Sequence, residues 1–162
     1  MIDAIDLKIL GLMQKSARTP NAEIARQVEM APSAVFARTR RLEDEGVIEG
    51  YEVRLNPRAL GLNLVAFICV QTEERPGQPD TGQLLAQLPE VQEVYQVAGE
   101  DGYLVKVRTA DAAALGRLLQ EGVHAIGTVR STKTSIVLQT LKDQRNLPLE
   151  EPAAGSRHVR VA

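Results

Sequence analysis

Hydrophobic residues near the start of the chain recur at helical spacing in separate short segments. The first segment begins after Asp3, an N-cap residue with Asp6 three positions on, and extends to about Lys15. Its apolar stripe consists of four residues: Ile5, Ile9, Leu12 and Met13. The second segment, 21–28, follows Thr19, whose hydroxyl is suited to capping a helix start. The pattern therefore predicts two helices before residue 29.

A three-residue turn, 29–31, is predicted to join the second helix to a third. Glu29 stands where such turns often use glycine for a positive φ, which costs another residue about 1 kcal/mol. The third helix is predicted to start at Pro32 and to end before Gly46. Its narrow apolar face consists of Val35, Thr39 and Leu42. Two short helices joined by a tight turn indicate a helix-turn-helix.

The side opposite the apolar face is small, polar and basic, which is what a DNA-reading helix needs. It is predicted to carry Ser33, Ala37, Arg40 and Arg41, with Ala34, Phe36 and Arg38 on the flanks. Small residues near its start allow close approach to the major groove, and arginines can pair with guanine edges or phosphates. The candidate DNA-binding residues are Ser33, Ala34, Phe36, Ala37, Arg38, Arg40 and Arg41. An ordinary amphipathic helix with solvated arginines is the alternative, and the preceding short helix and tight turn favour DNA.

A change in residue composition after the third helix predicts a domain boundary. Residues 47–55 have the β-branched and aromatic content of a strand, and Asn56 with Pro57 ends it. The segment 58–63 is predicted to be a linker. The expected organisation is a helix-turn-helix domain at 1–50, a strand and linker at 51–62, a second domain at 63–142 and a tail at 143–162.

The second half alternates strands and helices in a recognisable order. Its predicted elements are a strand at 64–70, a helix at 81–88, strands at 91–98 and 103–108, a helix at 111–123 and a last strand within 128–141. This order is the ferredoxin-like βαββαβ arrangement, so the fold class is α+β. The first strand is apolar on both faces, which predicts that a second copy of the chain covers the open sheet face. A monomer with exposed valines is the alternative.

Composition limits the functions open to the chain. Its net charge is −2, so DNA binding has to rest on local basic clusters. The single cysteine, Cys69, excludes an intrachain disulfide framework and fits a reducing cytoplasm. The sequence has no apolar run of membrane-spanning length, and the basic start of a secretory signal is lacking. Metal-ligand spacings, phosphate loops and nucleophile motifs are absent as well. A cytoplasmic non-enzyme with no catalytic residue, metal or cofactor is expected.

Several motifs together resemble the Lrp/AsnC, or feast/famine, family of transcriptional regulators. They lie at 18–21, 38–43, 46–51, 55–57 and 99–103, and the resemblance extends from about Ile5 to Lys142. It implies a winged-helix-like reader of double-stranded operator DNA, joined to a ferredoxin-like domain. By the same resemblance the second domain forms homodimers, assembles further into tetramers or octamers, and binds a small effector, usually an amino acid.

The resemblance also implies where the effector binds, at a junction between dimers. The candidate residues are Gly99, Glu100, Asp101, Gly102, Tyr103, Thr132, Thr134 and Ser135. Carboxylates suit an ammonium group, and hydroxyls suit a carboxylate. Many relatives have aspartate where this chain has Gly102, so Glu100 or Asp101 would substitute as the ammonium partner. A solvated glycine-rich turn is the alternative for the site. For the whole protein the alternatives are an effector-independent architectural protein that wraps DNA, or an enzyme or amino-acid-binding domain.

Overall fold

The computed structural model describes residues 2–73, 80–99 and 102–149 of the chain. Two compact units are present, with boundaries after Val53 and after Lys142. The first unit therefore includes the described tail residues 143–149 as well as the N-terminal helices. Three helices build this unit: α1 at Ala4–Lys15, α2 at Asn21–Gln27 and α3 at Pro32–Asp44.

The apolar stripes of the three helices close a small core, as the spacing predicted. Its fully buried members are Ile9, Ile24, Ala25 and Val35. Burying an aliphatic side chain of this size contributes roughly 1.5–3 kcal/mol, so a few such residues account for much of the stability of a small unit. The start of α1 is fixed by the predicted capping box, in which Asp3 and Asp6 each accept a hydrogen bond from the other's amide.

The start of α2 differs from the sequence-based prediction, whereas the turn after it agrees. Pro20 is the N-cap of α2, and the Thr19 hydroxyl donates to the Ser16 carbonyl at 2.9 Å. The expectation that Thr19 caps α2 is therefore wrong. In the turn, Glu29 has a φ of 55°, and the Met30 amide donates back to the Ala25 carbonyl at 2.9 Å. The turn thus holds a non-glycine residue in the left-handed region.

The predicted strand at 47–55 is not formed in the single chain. The amides of Val47 and Ile48 both donate to the Leu42 carbonyl, at 2.9 and 3.0 Å, and so close the C-terminus of α3. Residues 49–56 are exposed, and none of the described strands pairs with them. Strand-forming side chains favour a pleated, half-buried surface, but they make a strand only where a partner supplies hydrogen bonds.

The second unit is a four-stranded antiparallel sheet with helices on one side, as the βαββαβ order predicted. After a short 3₁₀ turn at Arg58–Leu60, its elements are β1 at Leu64–Thr72, α4 at Thr81–Ala86, β2 at Val91–Gln96, β3 at Tyr103–Thr109, α5 at Ala112–Arg117 and β4 at Val129–Ile136. A π-helical segment, Leu118–Val123, continues α5. The strand order is β2-β3-β1-β4, so β1 and β3 are central.

Burial differs between the two faces of β1. Ala66, Ile68 and Val70 are fully buried in the core that also contains residues of α4 and α5. The opposite side chains, Val65, Phe67 and Cys69, are partly exposed in the single chain. The expected burial of both faces therefore holds for one face only. Homodimerisation through the other face remains a prediction.

Candidate functional site

The outer side of α3 is exposed over its whole length, because Val35, Thr39 and Leu42 anchor the opposite side. We call its exposed residues the reading face: Ser33, Phe36, Ala37 and Arg40. Phe36 is 60% exposed, which is unusual for an aromatic residue on a short helix. The predicted contact residue Ala34 is half-buried and lies beside this face. A protruding, small-sided surface of this kind can approach a nucleic-acid groove closely.

The structure separates the three arginines that the sequence analysis grouped together. Asp6 of α1 is fully buried, and its two carboxylate oxygens lie 2.8 Å from Arg38 Nη1 and 2.5 Å from Arg41 Nη2. Arg38 Nη1 also donates to Asp3 at 2.7 Å. Arg38 and Arg41 therefore join α3 to α1. The prediction that Arg41 lies on the outer side of α3 opposite the apolar face is wrong in this respect.

Charge–charge contacts hold this cluster of Asp3, Asp6, Arg38 and Arg41, which we call the Asp6 cluster. Hydrogen bonds to Asp3 and Asp6 raise the pKa of the Arg38 guanidinium above its usual value. Burial alone would raise the pKa of Asp3, but hydrogen bonds from the Asp6 amide and from Arg38 outweigh that effect and lower it. Both members of the Asp3–Arg38 pair therefore keep their charge at neutral pH.

Arg40 is the arginine of α3 that remains on the reading face. Its side chain is 66% exposed, and its contacts with Glu43 and Asp44 are long, at 3.7 and 3.6 Å. Exposed pairs of this kind contribute little, so a phosphate or guanine could replace them at small cost. Residues 2–53 contain nine acidic and seven basic side chains. Attraction to DNA therefore depends on where each arginine points.

The predicted effector residues at the β2–β3 hairpin are placed partly in the core. Gly99 has a φ of 130°, and Gly102 donates its amide to the Val70 carbonyl at 3.0 Å. A Cβ at Gly102 would lie 2.9 Å from Thr72 Oγ1, so an aspartate at this position requires the Thr72 side chain to move. Tyr103 is buried, with its ring packed over Gly82. Glu100 and Asp101 lie outside the described residues.

The three candidates on β4 do not converge within one chain. Thr132 and Thr134 pair with Val70 and Ile68, on the helix-covered side of the sheet. Ser135 pairs with Phe67 and points to the other side, because successive strand residues alternate. Their role at a junction between subunits stays a prediction.

His124 is a hydrogen-bond partner of the candidate effector residue Thr132, and sequence reasoning missed it. Its Nε2 lies 3.0 Å from Thr132 Oγ1, so the two side chains share a hydrogen bond. The short connection between α5 and β4 was the available signal that it could approach this strand.

The described part of the chain lacks two further features. Within it, no group of three histidine, cysteine, aspartate or glutamate side chains is placed to hold a metal ion. Among the same residues, no helix has the length and apolar character needed to cross a membrane.

Family models match both units. The model described as Lrp/AsnC ligand binding domain matches residues 65–147, and the model described as winged helix-turn-helix DNA-binding matches residues 2–49. The chain is 38% identical to the HTH-type transcriptional regulator LrpA of Mycobacterium tuberculosis, covering 91% of this chain and 97% of that protein. It is 33% identical to the leucine-responsive regulatory protein of Escherichia coli, with 92% of each covered.

Solved structures agree with the sequence matches. The feast or famine regulatory protein of M. tuberculosis, complexed with L-methionine, superposes with a TM-score of 0.82. That protein is 37% identical, and the match covers 91% of this chain and 99% of the other. The family consists of transcriptional regulators, in agreement with the expectation that the chain is not an enzyme. The helix-turn-helix unit, the βαββαβ unit and these similarities over nearly the whole length lead to one conclusion: the chain belongs to the Lrp/AsnC family of transcriptional regulators.

Proposed function

We propose that this chain recognises double-stranded operator DNA through the reading face of α3 and that an amino-acid effector alters its assembly or its DNA affinity. The observation that carries the proposal is the division of α3 into an anchored side and an exposed side. Val35 and Leu42 are fully buried, whereas Phe36 and Arg40 project outward. A rigid helix that is held from one side can enter a major groove with the other.

The residues of the reading face have separate roles in this proposal. Ser33 and Ala37 are small and allow the helix backbone to approach the bases. Arg40 is the side chain suited to a bidentate contact with guanine or to a phosphate. Phe36 is suited to apolar contact with thymine methyl groups, and Ala34 lies at the edge of the contact. A regulator of transcription works beside the chromosome, so the cytoplasm is the proposed compartment.

Self-association through the sheet supports the same function. The open sheet face includes the apolar side chains Val65, Phe67, Cys69, Tyr95 and Leu104, which the strand register places on β1, β2 and β3 together with the charged side chains Glu93, Lys106 and Arg108. Phe67 and Tyr95 remain 36% and 51% exposed in the single chain. A second copy would cover these apolar side chains. Two linked readers bind neighbouring half-sites far better than one, and further assembly to tetramers or octamers extends this gain.

An amino acid is the proposed effector, bound between subunits. Relatives with solved structures were crystallised with L-methionine, and one relative is named for its response to leucine. Gly99 and Ser135 are exposed and Gly102 is half-buried in the single chain, so a neighbouring subunit can approach them. Glu100 and Asp101 are the proposed ammonium partners. An architectural protein that wraps DNA without an effector is the second candidate.

A gel-shift titration tests the DNA-binding part of the proposal. The full chain is titrated against the region upstream of its own gene and against random duplex of equal length. We expect tighter binding to the upstream region, and we expect Arg40→Ala to weaken it. A loss of discrimination at one base pair of roughly 1–3 kcal/mol indicates base contact. Equal affinity for both duplexes favours the wrapping protein.

A thermal-shift screen of the twenty amino acids tests the effector. An effector at one hundred times its dissociation constant stabilises the folded chain by about 2.7 kcal/mol, which is visible as a raised melting temperature. If all twenty leave the melting temperature unchanged, an amino-acid effector is excluded.

A further inference from the structure

We infer that Asp6 withholds Arg38 and Arg41 from DNA and thereby limits the part of the binding that does not depend on sequence. The inference rests on the proposed function, since it concerns which side chains of α3 reach phosphates. It assigns Asp6, a residue of α1, the role of a positioning residue. Its side chain touches no DNA itself and acts through the two arginines that it holds.

The first step is that both arginines lie at the rim of α3. Their side chains are 25% and 39% exposed, for Arg38 and Arg41 respectively, so they are at the boundary between protein and solvent. An arginine stem is long and flexible. Once released from Asp6, either guanidinium could turn toward a neighbouring phosphate.

The second step is that DNA phosphates cannot easily replace the Asp6 carboxylate as the partner of these arginines. The Asp6 carboxylate is fully buried, and it also accepts the Asp3 amide at 3.0 Å. If Arg38 and Arg41 left, a buried negative charge would lose its cationic partners, which is strongly unfavourable. The partners of Arg40 differ in this respect. Glu43 and Asp44 are 31% and 65% exposed, so water can solvate them when Arg40 moves to DNA.

The third step concerns the balance between specific and non-specific binding. Each phosphate that a protein neutralises adds about 0.9 to the slope of log affinity against log salt concentration on duplex DNA. These contacts are made on any sequence. A reader that engages Arg40 and withholds Arg38 and Arg41 therefore has a shallow slope and a larger ratio of operator to random affinity. The acidic excess of residues 2–53 acts in the same direction.

The experiment measures the salt slope on random duplex for the full chain and for four variants. Asp6→Asn keeps the size of the side chain and removes its charge. We expect this variant to steepen the slope by about 1–2 units per chain, as one or two released arginines contact phosphates. Its ratio of operator to random affinity should fall. Arg38→Gln and Arg41→Gln should each keep the wild-type slope, whereas Arg40→Gln should lose about one unit.

Two controls separate this effect from a general change of charge or fold. Glu73→Gln removes the same charge in the other unit and frees its partner Arg130, which lies 3.0 Å away. It should leave the slope unchanged. The triple variant Asp6→Asn, Arg38→Gln, Arg41→Gln should return the slope to the wild-type value. Circular dichroism and melting curves check that every variant is folded.

The outcomes are distinguishable from failure of the proposed function. A folded Asp6→Asn variant with an unchanged or shallower slope overturns the inference, because a purely structural role predicts lost affinity without a steeper slope. A loss of about one unit in Arg38→Gln or Arg41→Gln also overturns it. These two variants decide the matter if Asp6→Asn does not fold. Absence of DNA binding by the wild-type chain, or an unchanged slope in Arg40→Gln, contradicts the proposed function instead.

Discussion

At the scale of single residues, one side chain of the first unit combines a local contact with contacts to another helix. Asp6 is the clearest case, since a residue recognised in the sequence as part of a capping box also binds two arginines from α3. The capping role was predictable because it depends on a spacing of three residues. The arginine contacts were not, because they join positions more than thirty residues apart. Helix propensity carries no information about such pairs.

Tyr51 provides a residue-scale prediction. Its hydroxyl donates to Glu43 at 2.7 Å, and partial removal from water together with this bond raises the pKa of Tyr51 to about 12. The folded state favours the neutral phenol. Its contribution to stability is therefore complete below the ordinary tyrosine pKa of about 10 and is lost as the pH rises toward 12.

Ultraviolet titration of the full chain measures this shift. Subtracting the curve of Tyr51→Phe isolates the phenol of Tyr51, and the difference should have its midpoint near 12. Glu43→Gln should lower that midpoint, because the neutral amide does not disfavour the phenolate. A midpoint near 10 in the wild-type chain would contradict the hydrogen bond seen here.

At the scale of elements, the sequence predicted most of the fold. The bounds of α1, α2 and α3 and the βαββαβ order follow from apolar spacing and turn residues, which are local signals. The predicted strand at 47–55 is not formed, because this segment has no strand partner in the described chain. Thr132 and Thr134 lie on one face of β4 and Ser135 lies on the other, because successive strand residues alternate between the faces. Local patterns predict elements well but pairing poorly.

The turn between α2 and α3 gives the prediction at this scale. Glu29 has a φ of 55°, in the left-handed region that favours glycine. Glu29→Gly should raise the free energy of unfolding by roughly 0.5–1 kcal/mol, because the backbone strain is removed. Urea or thermal unfolding measures the change.

Glu45, at the end of α3, is the matched control. Its φ of −81° is comfortable for glutamate, so Glu45→Gly should destabilise the chain by increasing the freedom of the unfolded state. Equal destabilisation by both glycines would mean that the conformation of Glu29 carries no strain.

At the scale of the whole molecule, several features are incomplete in one chain and would be completed by another. The open sheet face leaves Phe67 and Tyr95 partly exposed, and the segment 49–56 has no strand partner among the described residues. Sequence reasoning predicted the homodimer from the apolar character of β1, whereas the arrangement of a junction depends on surfaces that no local pattern describes. These features together support the proposal that the functional unit contains more than one chain.

Phe67 lies at the centre of the open sheet face, with the β3 residue Lys106 and the β4 residue Ser135 as its strand neighbours. Phe67→Glu places a charge where a second chain would exclude water, so it should convert the assembly to monomers. Light scattering after size-exclusion chromatography measures the mass. DNA affinity should fall in parallel because the two readers are no longer linked.

Leu138→Glu is the matched control for this prediction. Leu138 is 98% exposed and lies beyond the end of β4, so the same change of apolar side chain to carboxylate is made outside the open sheet face. We expect this variant to keep the wild-type mass and DNA affinity. If Phe67→Glu is folded and keeps the mass of a wild-type dimer, the chains associate through another surface. If the mass falls and the affinity does not, one reader suffices for binding, and the proposed gain from linked readers is wrong.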